Sequence, residues 1–261
     1  MKSPLLHYEH FGHITLSPIV LLHGFLGDMR DWAPVFDRLG DQFGFLAIDL
    51  PGHGKSRELG LDFNFGQTSD AVFDVLNANN ISKCHMLGYS MGGRIALYTA
   101  ISNPDRFLTL ILESCTAGVD DRANRLEFEN RWSRRLRESS MKEFLPEWYS
   151  MVLFKTIREQ PLFAELLNRR AQNDPMALSR VMVNLGSAKM PSMWSDMSEL
   201  DIPIHYIYGE MDIKYKKLVS RMKKHAKNMT PHKIKNSGHN SHFENPDEFC
   251  NVIKTICAQK E

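Results

Sequence analysis

The residues Gly88-Tyr89-Ser90-Met91-Gly92-Gly93 follow the apolar run Cys84 to Leu87 and precede a helix-like stretch from Arg94 to Ile101. A serine on so sharp a strand-to-helix turn sits in a strained backbone conformation, and a side chain at either flanking glycine would collide across it. Gly-x-Ser-x-Gly in this setting marks an exposed nucleophile, with Ser90 as the reacting hydroxyl.

A serine hydroxyl is a poor nucleophile or base until an imidazole takes its proton, and the imidazole needs a carboxylate to fix its tautomer. Both are present downstream, in Gly209-Glu210-Met211-Asp212 after the run Ile204 to Tyr208 and in Asn236-Ser237-Gly238-His239 after Ile234. The order Ser90, Asp212, His239 suits loops at the carboxyl ends of parallel strands. Glu210 and His242 are alternatives, and loop position favours Asp212 and His239. His23-Gly24-Phe25 directly follows the run Ile19 to Leu22. Its glycine lets the Phe25 N–H approach the serine, where together with the Met91 N–H it forms an oxyanion hole. His23 reads as a structural hydrogen-bonding group. Gly54-Lys55-Ser56 imitates the end of a phosphate-binding loop, but Asp49 stands where that loop requires glycine, so the segment reads as a structural turn.

These residues need a scaffold that gathers strand ends on one face. Short β-rich runs recur at Ile19 to Leu22, Phe45 to Ile48, Cys84 to Leu87, Phe107 to Leu112, Ile204 to Tyr208 and His232 to Ile234. Helical spacing appears between them at Asp31 to Leu39, Ser69 to Asn77, Gly93 to Ile101, Lys216 to Ala226 and Pro246 to Ala258. The alternation predicts an α/β fold with a doubly wound, mostly parallel sheet covered by helices on both faces. Leu5 to Leu16, alternating around Gly12, predicts an antiparallel hairpin at the sheet edge. From Gly118 to about Asp196 the alternation gives way to helical spacing. The expected division is a core from 1–117 and 199–261 carrying a helical lid from 118–198.

The lid segment holds ten of the chain's sixteen arginines. Most solvate helix faces beside glutamates, and one or two turned inward suffice to bind an anion. Arg94 lies within about a turn of the start of the helix that Ser90 opens, where the macrodipole disfavours a cation by ~0.3 to 1 kcal/mol. A substrate carboxylate or a neighbouring acid must compensate it, and Lys214 on the same rim adds a second positive charge.

Bulk properties exclude other classes. A formal net charge of +1 with 24% charged residues offers no polycationic face for nucleic acid or an acidic membrane. The four cysteines lack Cys-x-x-Cys spacing, and the polar opening Met1 to His10 has no leader pattern, so reduced thiols in the cytoplasm are expected. The longest apolar stretch is too short to span a bilayer. His7, His10 and His13 at three-residue spacing fall on opposite faces of a strand, so no metal site is expected; no cofactor is expected either.

With these motifs assembled, the chain resembles the α/β-hydrolase superfamily over nearly its whole length, through His23-Gly24-Phe25, Asp49 to Ser56, Gly88 to Gly93, Asp212 and Gly238-His239. A narrower resemblance is to the 2-succinyl-6-hydroxy-2,4-cyclohexadiene-1-carboxylate (SHCHC) synthases of menaquinone biosynthesis. It rests on Gly88 to Arg94, Phe144 to Tyr149, Arg169-Arg170 before Asn173, Gly209 to Asp212 with Lys214, and Gly238-His239-Asn240. That resemblance implies a small anionic substrate held by Arg94, Arg125, Arg170 and Lys214, with Tyr89, Trp148 and Tyr149 lining the pocket. It implies elimination of pyruvate, with Ser90 acting as a base. The same triad also suits a serine hydrolase acting on a small acidic substrate, whereas a pure binding module has no need of an activated serine.

Overall fold

The computed structural model describes residues 5–13 and 17–258 of the 261-residue chain. Its elements run β1 (Tyr8–Gly12), β2 (Ile19–Leu22), α1 (Ala33–Leu39), β3 (Gly44–Ile48), α2 (Phe65–Ala78), β4 (Cys84–Tyr89), α3 (Met91–Ser102) and β5 (Phe107–Glu113). Four helices follow without an intervening strand: α4 (Arg122–Glu138), α5 (Met141–Tyr149), α6 (Phe163–Arg170) and α7 (Pro175–Asn184). The chain then closes with β6 (Ile204–Gly209), α8 (Ile213–His225), β7 (Met229–Ile234), α9 (Ser241–Glu244) and α10 (Pro246–Cys257).

The seven strands form one sheet in the order β1-β3-β2-β4-β5-β6-β7. All pairs are parallel except β1 with β3, where Tyr8 faces Ile48 and Gly12 faces Gly44. The expected hairpin is therefore corrected in one respect: Tyr8–Gly12 pairs with β3, and residues 14–16 of its second arm lie outside the described residues. The central strands are buried along their length, as parallel strands covered on both faces must be. Val72 and Ile95 pack with Met222 on one side of the sheet, and Val35 packs with Phe249 on the other. The helices between β5 and β6 close a third apolar cluster around Phe144, Leu136 and Leu178.

Local signals explain the boundaries. Helix α2 starts four residues before the periodic stretch, because Asn64 and Gln67 form a reciprocal capping box. The helix expected from Asp31 begins as α1 at Ala33, after a 3₁₀ turn over Met29–Trp32, with Pro34 in its first turn. Asp212 caps α8 by accepting the Tyr215 N–H at 3.1 Å, so the helix starts as soon as the acid-bearing loop ends.

Candidate active site

Ser90 sits between the end of β4 and the start of α3 with φ 51° and ψ −103°, a conformation that L-residues adopt only under constraint. Two neighbours show why the glycines are required. A Cβ at Gly88 would lie 2.4 Å from the Gly92 carbonyl oxygen, and one at Gly92 would lie 2.2 Å from that of Leu22. The Ser90 N–H donates to the Glu113 carbonyl at 2.9 Å, and the side chain makes no capping bond to its own helix. The hydroxyl is thus left for chemistry.

That hydroxyl lies 3.1 Å from His239 Nε2, and His239 Nδ1 lies 2.9 Å from Asp212 Oδ2. His239 and Asp212 are 3% and 5% exposed, so the pair is shielded from solvent. With Nδ1 protonated and donating to Asp212, Nε2 is free to accept the serine proton. Asp212 divides its oxygens, Oδ1 capping α8 and Oδ2 orienting the imidazole. The two alternatives are otherwise engaged. Glu210 is partly exposed and pairs with Lys233 at 2.9 Å. His242 is wholly buried, stacked on Trp32, with Nδ1 2.6 Å from Glu113 Oε2.

Ser90 and His239 open into a cavity of about 420 Å³ between the strand ends and the inserted helices. Phe25, Met91, Tyr89, Trp148, Arg94, Arg125 and Lys214 all line it. Gly24 precedes Phe25 because a Cβ there would lie 2.6 Å from the Tyr89 ring. Met91 is the first residue of α3, where a backbone N–H has no carbonyl within its own helix to meet. His23 has the structural role expected of it: Nε2 accepts the Leu50 N–H at 2.9 Å, and Nδ1 bonds the Gly24 carbonyl. The turn after β3 is likewise structural, Asp49 accepting the N–H groups of Met29 and Lys55.

The cations divide into two kinds. Arg94 is partly buried, and its guanidinium donates to the Leu185 carbonyl at 2.9 Å. Among the described residues no carboxylate is in ion-pair contact with it, and burial followed by the field of Arg125 holds it below the usual guanidinium range. Lys214 rests over the Tyr215 ring at 5.0 Å, again with no ion-pair partner among the described residues. Arg125 does have one: Glu129, 1% exposed, accepts its Nε at 2.7 Å and also takes the Ser187 and Ala188 N–H groups.

Arg170 and Tyr149 are placed elsewhere. Arg170 is 3% exposed, and its two terminal nitrogens reach both Asp31 oxygens at 2.8 and 2.6 Å. Burial opposes its charge, but Asp31 and Tyr149 together outweigh that and raise its pKa. Tyr149 packs against Phe154 and Phe163 beside it. Neither is among the described residues that line the cavity: Arg170, in the last turn of α6, meets Asp31 in the turn after β2, and Tyr149, at the end of α5, packs among aromatic rings. Sequence reasoning also missed wall residues. Tyr215 has its ring 4.8 Å from that of His239, Phe154 lies 6.1 Å away, and Arg221 pairs with Asp120 at 2.6 Å. Tyr215 had a legible signal, since the third residue of a helix capped by Asp212 must lie beside that acid.

The sheet, the serine turn and the hydrogen-bonded chain from Ser90 through His239 to Asp212 together fit an α/β-hydrolase fold. The profile of the alpha/beta hydrolase fold family matches residues 17–246, and the chain belongs to that family. More narrowly, it is 35% identical over 231 residues to the 2-succinyl-6-hydroxy-2,4-cyclohexadiene-1-carboxylate synthase of Enterobacter sp. (strain 638), covering 87% of this chain and 86% of that one. The synthase of the same name from Salmonella typhimurium is 33% identical over 249 residues, covering 93% and 94%. Among solved structures, MenH from S. aureus superposes with a TM-score of 0.91 at 28% identity, covering 97% of this chain and 98% of that one.

Proposed function

We propose that this protein is a lyase that eliminates pyruvate from 2-succinyl-5-enolpyruvyl-6-hydroxy-3-cyclohexene-1-carboxylate to give SHCHC, the product named for its relatives in Enterobacter and Salmonella. One observation carries the reading: Arg94, partly buried and without a carboxylate partner among the described residues, stands in the cavity that holds Ser90 and His239. A desolvated cation needs a charge-assisted partner, and a substrate with several carboxylates supplies it.

In this mechanism the Ser90 hydroxyl passes its proton to His239, 3.1 Å away, while Ser90 Oγ takes the ring proton beside the succinyl ketone. The electron pair forms the C2=C3 bond, the ring C3=C4 double bond shifts to C4=C5, and the bond from C5 to the enolpyruvyl oxygen breaks, leaving the 2,4-diene. The enolate of pyruvate departs and is protonated to pyruvate by the imidazolium of His239, which returns both Ser90 and His239 to their starting protonation states. Charge that develops on the ketone oxygen rests on the N–H groups of Phe25 and Met91. Asp212 holds the imidazolium that forms. Arg94 and Lys214 bind the substrate carboxylates, with Arg125 contributing through the face that Glu129 leaves open and Tyr89 and Trp148 forming apolar walls. No covalent acyl-enzyme occurs.

Residues 118–198 act as the lid on a core formed by 1–117 and 199–261. We place the reaction in the cytoplasm, on a small molecule and without nucleic acid or a membrane. Four buried free cysteines support this, and among the described residues no helix is long and apolar enough to cross a bilayer. Incubating purified protein with the enolpyruvyl precursor tests the proposal: pyruvate and the diene absorbance should rise together. Absence of both, beside rapid p-nitrophenyl ester cleavage, would establish a serine hydrolase of small acidic substrates instead.

A further inference from the structure

His239 lies on a short loop, and the bonds that hold the loop come from a residue with no role in proton transfer. Glu244, at the end of α9, is 9% exposed and folds back over the turn. Its Oε2 accepts the Gly238 N–H at 2.8 Å, and its Oε1 accepts the Asn240 N–H at 3.1 Å. The catalytic histidine is thus clamped through the backbone on both sides by a single carboxylate.

A side chain of the lid comes up beside that carboxylate. Thr156, from the segment between α5 and α6, brings its hydroxyl to the same spot, since a Cβ at Gly238 would meet both Thr156 Oγ1 and, at 3.3 Å, Glu244 Oε2. The two surfaces meet without slack, because a Cβ at Gly238 would lie 2.0 Å from Thr156 Oγ1. A few residues earlier the same segment turns Met151, Leu153 and Phe154 into the cavity. One stretch of lid therefore touches the substrate space with one end and the carboxylate behind the catalytic histidine with the other. A carboxylate held by two backbone donors with a hydroxyl packed beside it is strongly oriented, and removing that hydroxyl loosens the two bonds that remain.

We infer that Glu244 is a positioning residue that aligns His239 with Ser90 and, through Thr156, makes this alignment depend on the seating of the 151–156 lid segment. The inference rests on the reading of Ser90 and His239 as the proton-transfer pair. Glutamine at 244 presents one acceptor and one donor to two backbone N–H groups, so it cannot reproduce the clamp. Valine at 156 keeps the shape of threonine and removes only the hydroxyl.

The test is a double-mutant cycle on Glu244→Gln and Thr156→Val, with kcat and KM measured on whichever substrate the wild type turns over, the enolpyruvyl precursor or a p-nitrophenyl ester. From the strength of hydrogen bonds to charged groups, kcat should fall about tenfold in Thr156→Val and about a hundredfold in Glu244→Gln. KM and Tm should hold in Thr156→Val, and that substitution should cost nothing further when Glu244→Gln is already present. Thr156→Val retaining full kcat, or effects that multiply in the double variant, would overturn the coupling even if Glu244→Gln proved unstable. A Ser90→Ala control separates the two ideas: if it stays active, the reading of the triad fails, whatever the cycle shows.

Discussion

Two arginines, the partly buried Arg94 and the buried Arg170, look alike in sequence and behave oppositely in the structure. At the seat of Arg170, buried on every side, the charge is answered from within by both oxygens of Asp31. At the cavity wall Arg94 meets a backbone carbonyl and the face of the Phe65 ring and lies partly in the field of another cation. A fold that spends a carboxylate on one arginine and withholds it from the other has divided structure from function. Where the partner is built in, the charge braces the chain; where it is missing, the proposed function gives the charge to a substrate carboxylate.

Substitution by methionine breaks the comparison most directly. Arg170→Met strands Asp31 as an uncompensated buried acid, with only Arg169 at 3.3 Å to relieve it. Denaturant unfolding should show a loss of about 3 kcal/mol. A stability equal to wild type would mean that Asp31 is not carrying its charge there.

The second prediction concerns pH on the same side of the molecule. His53 is buried, its Nε2 accepting the Leu26 N–H at 3.2 Å. Burial foremost, then the fields of His23 and Arg170, push it down to about 3 from 6.5. In the unfolded chain the imidazole protonates below about 6.5 while in the folded chain it stays neutral, so the unfolded state binds more protons across that window. Stability should therefore be complete above pH 6.5 and fall by about 3 kcal/mol on acidification to about pH 4. His53→Gln should flatten that slope in unfolding curves measured through the window. An unchanged slope would assign the acid sensitivity to other groups.

The smallest effect falls on Arg94. Arg94→Met removes an unpaired, desolvated charge, so Tm should not drop, while KM for the anionic substrate rises by about 10- to 100-fold. Unchanged KM would show that the substrate carboxylates bind elsewhere.

Much of the scaffold and the triad was legible because both rest on local signals. Gly-x-Ser-x-Gly between a strand and a helix needs no distant residue to be recognised, and Asp212 and His239 declare themselves by following strands. Even the choice of His239 over His242 followed from loop position, three residues separating an imidazole on Ser90 from one locked on Glu113. What stayed hidden depends on which way a side chain turns. Arg170 meets Asp31 across 139 residues of chain, and helical spacing in the lid says which residues share a face without saying what that face meets. Phe154 lies in a 3₁₀ turn too short for periodicity to report. The first strand was legible as an antiparallel edge, but its partner β3 lies over thirty residues away and carries no turn signal linking the two.

The central claim is that Ser90, activated by His239 and Asp212, abstracts the proton that releases pyruvate. Pyruvate release by Ser90→Ala, compared with wild type at saturating precursor, measures it most directly. The account predicts a loss in kcat of about 10³-fold or more with the fold intact; an alanine variant that releases pyruvate at the wild-type rate would contradict it.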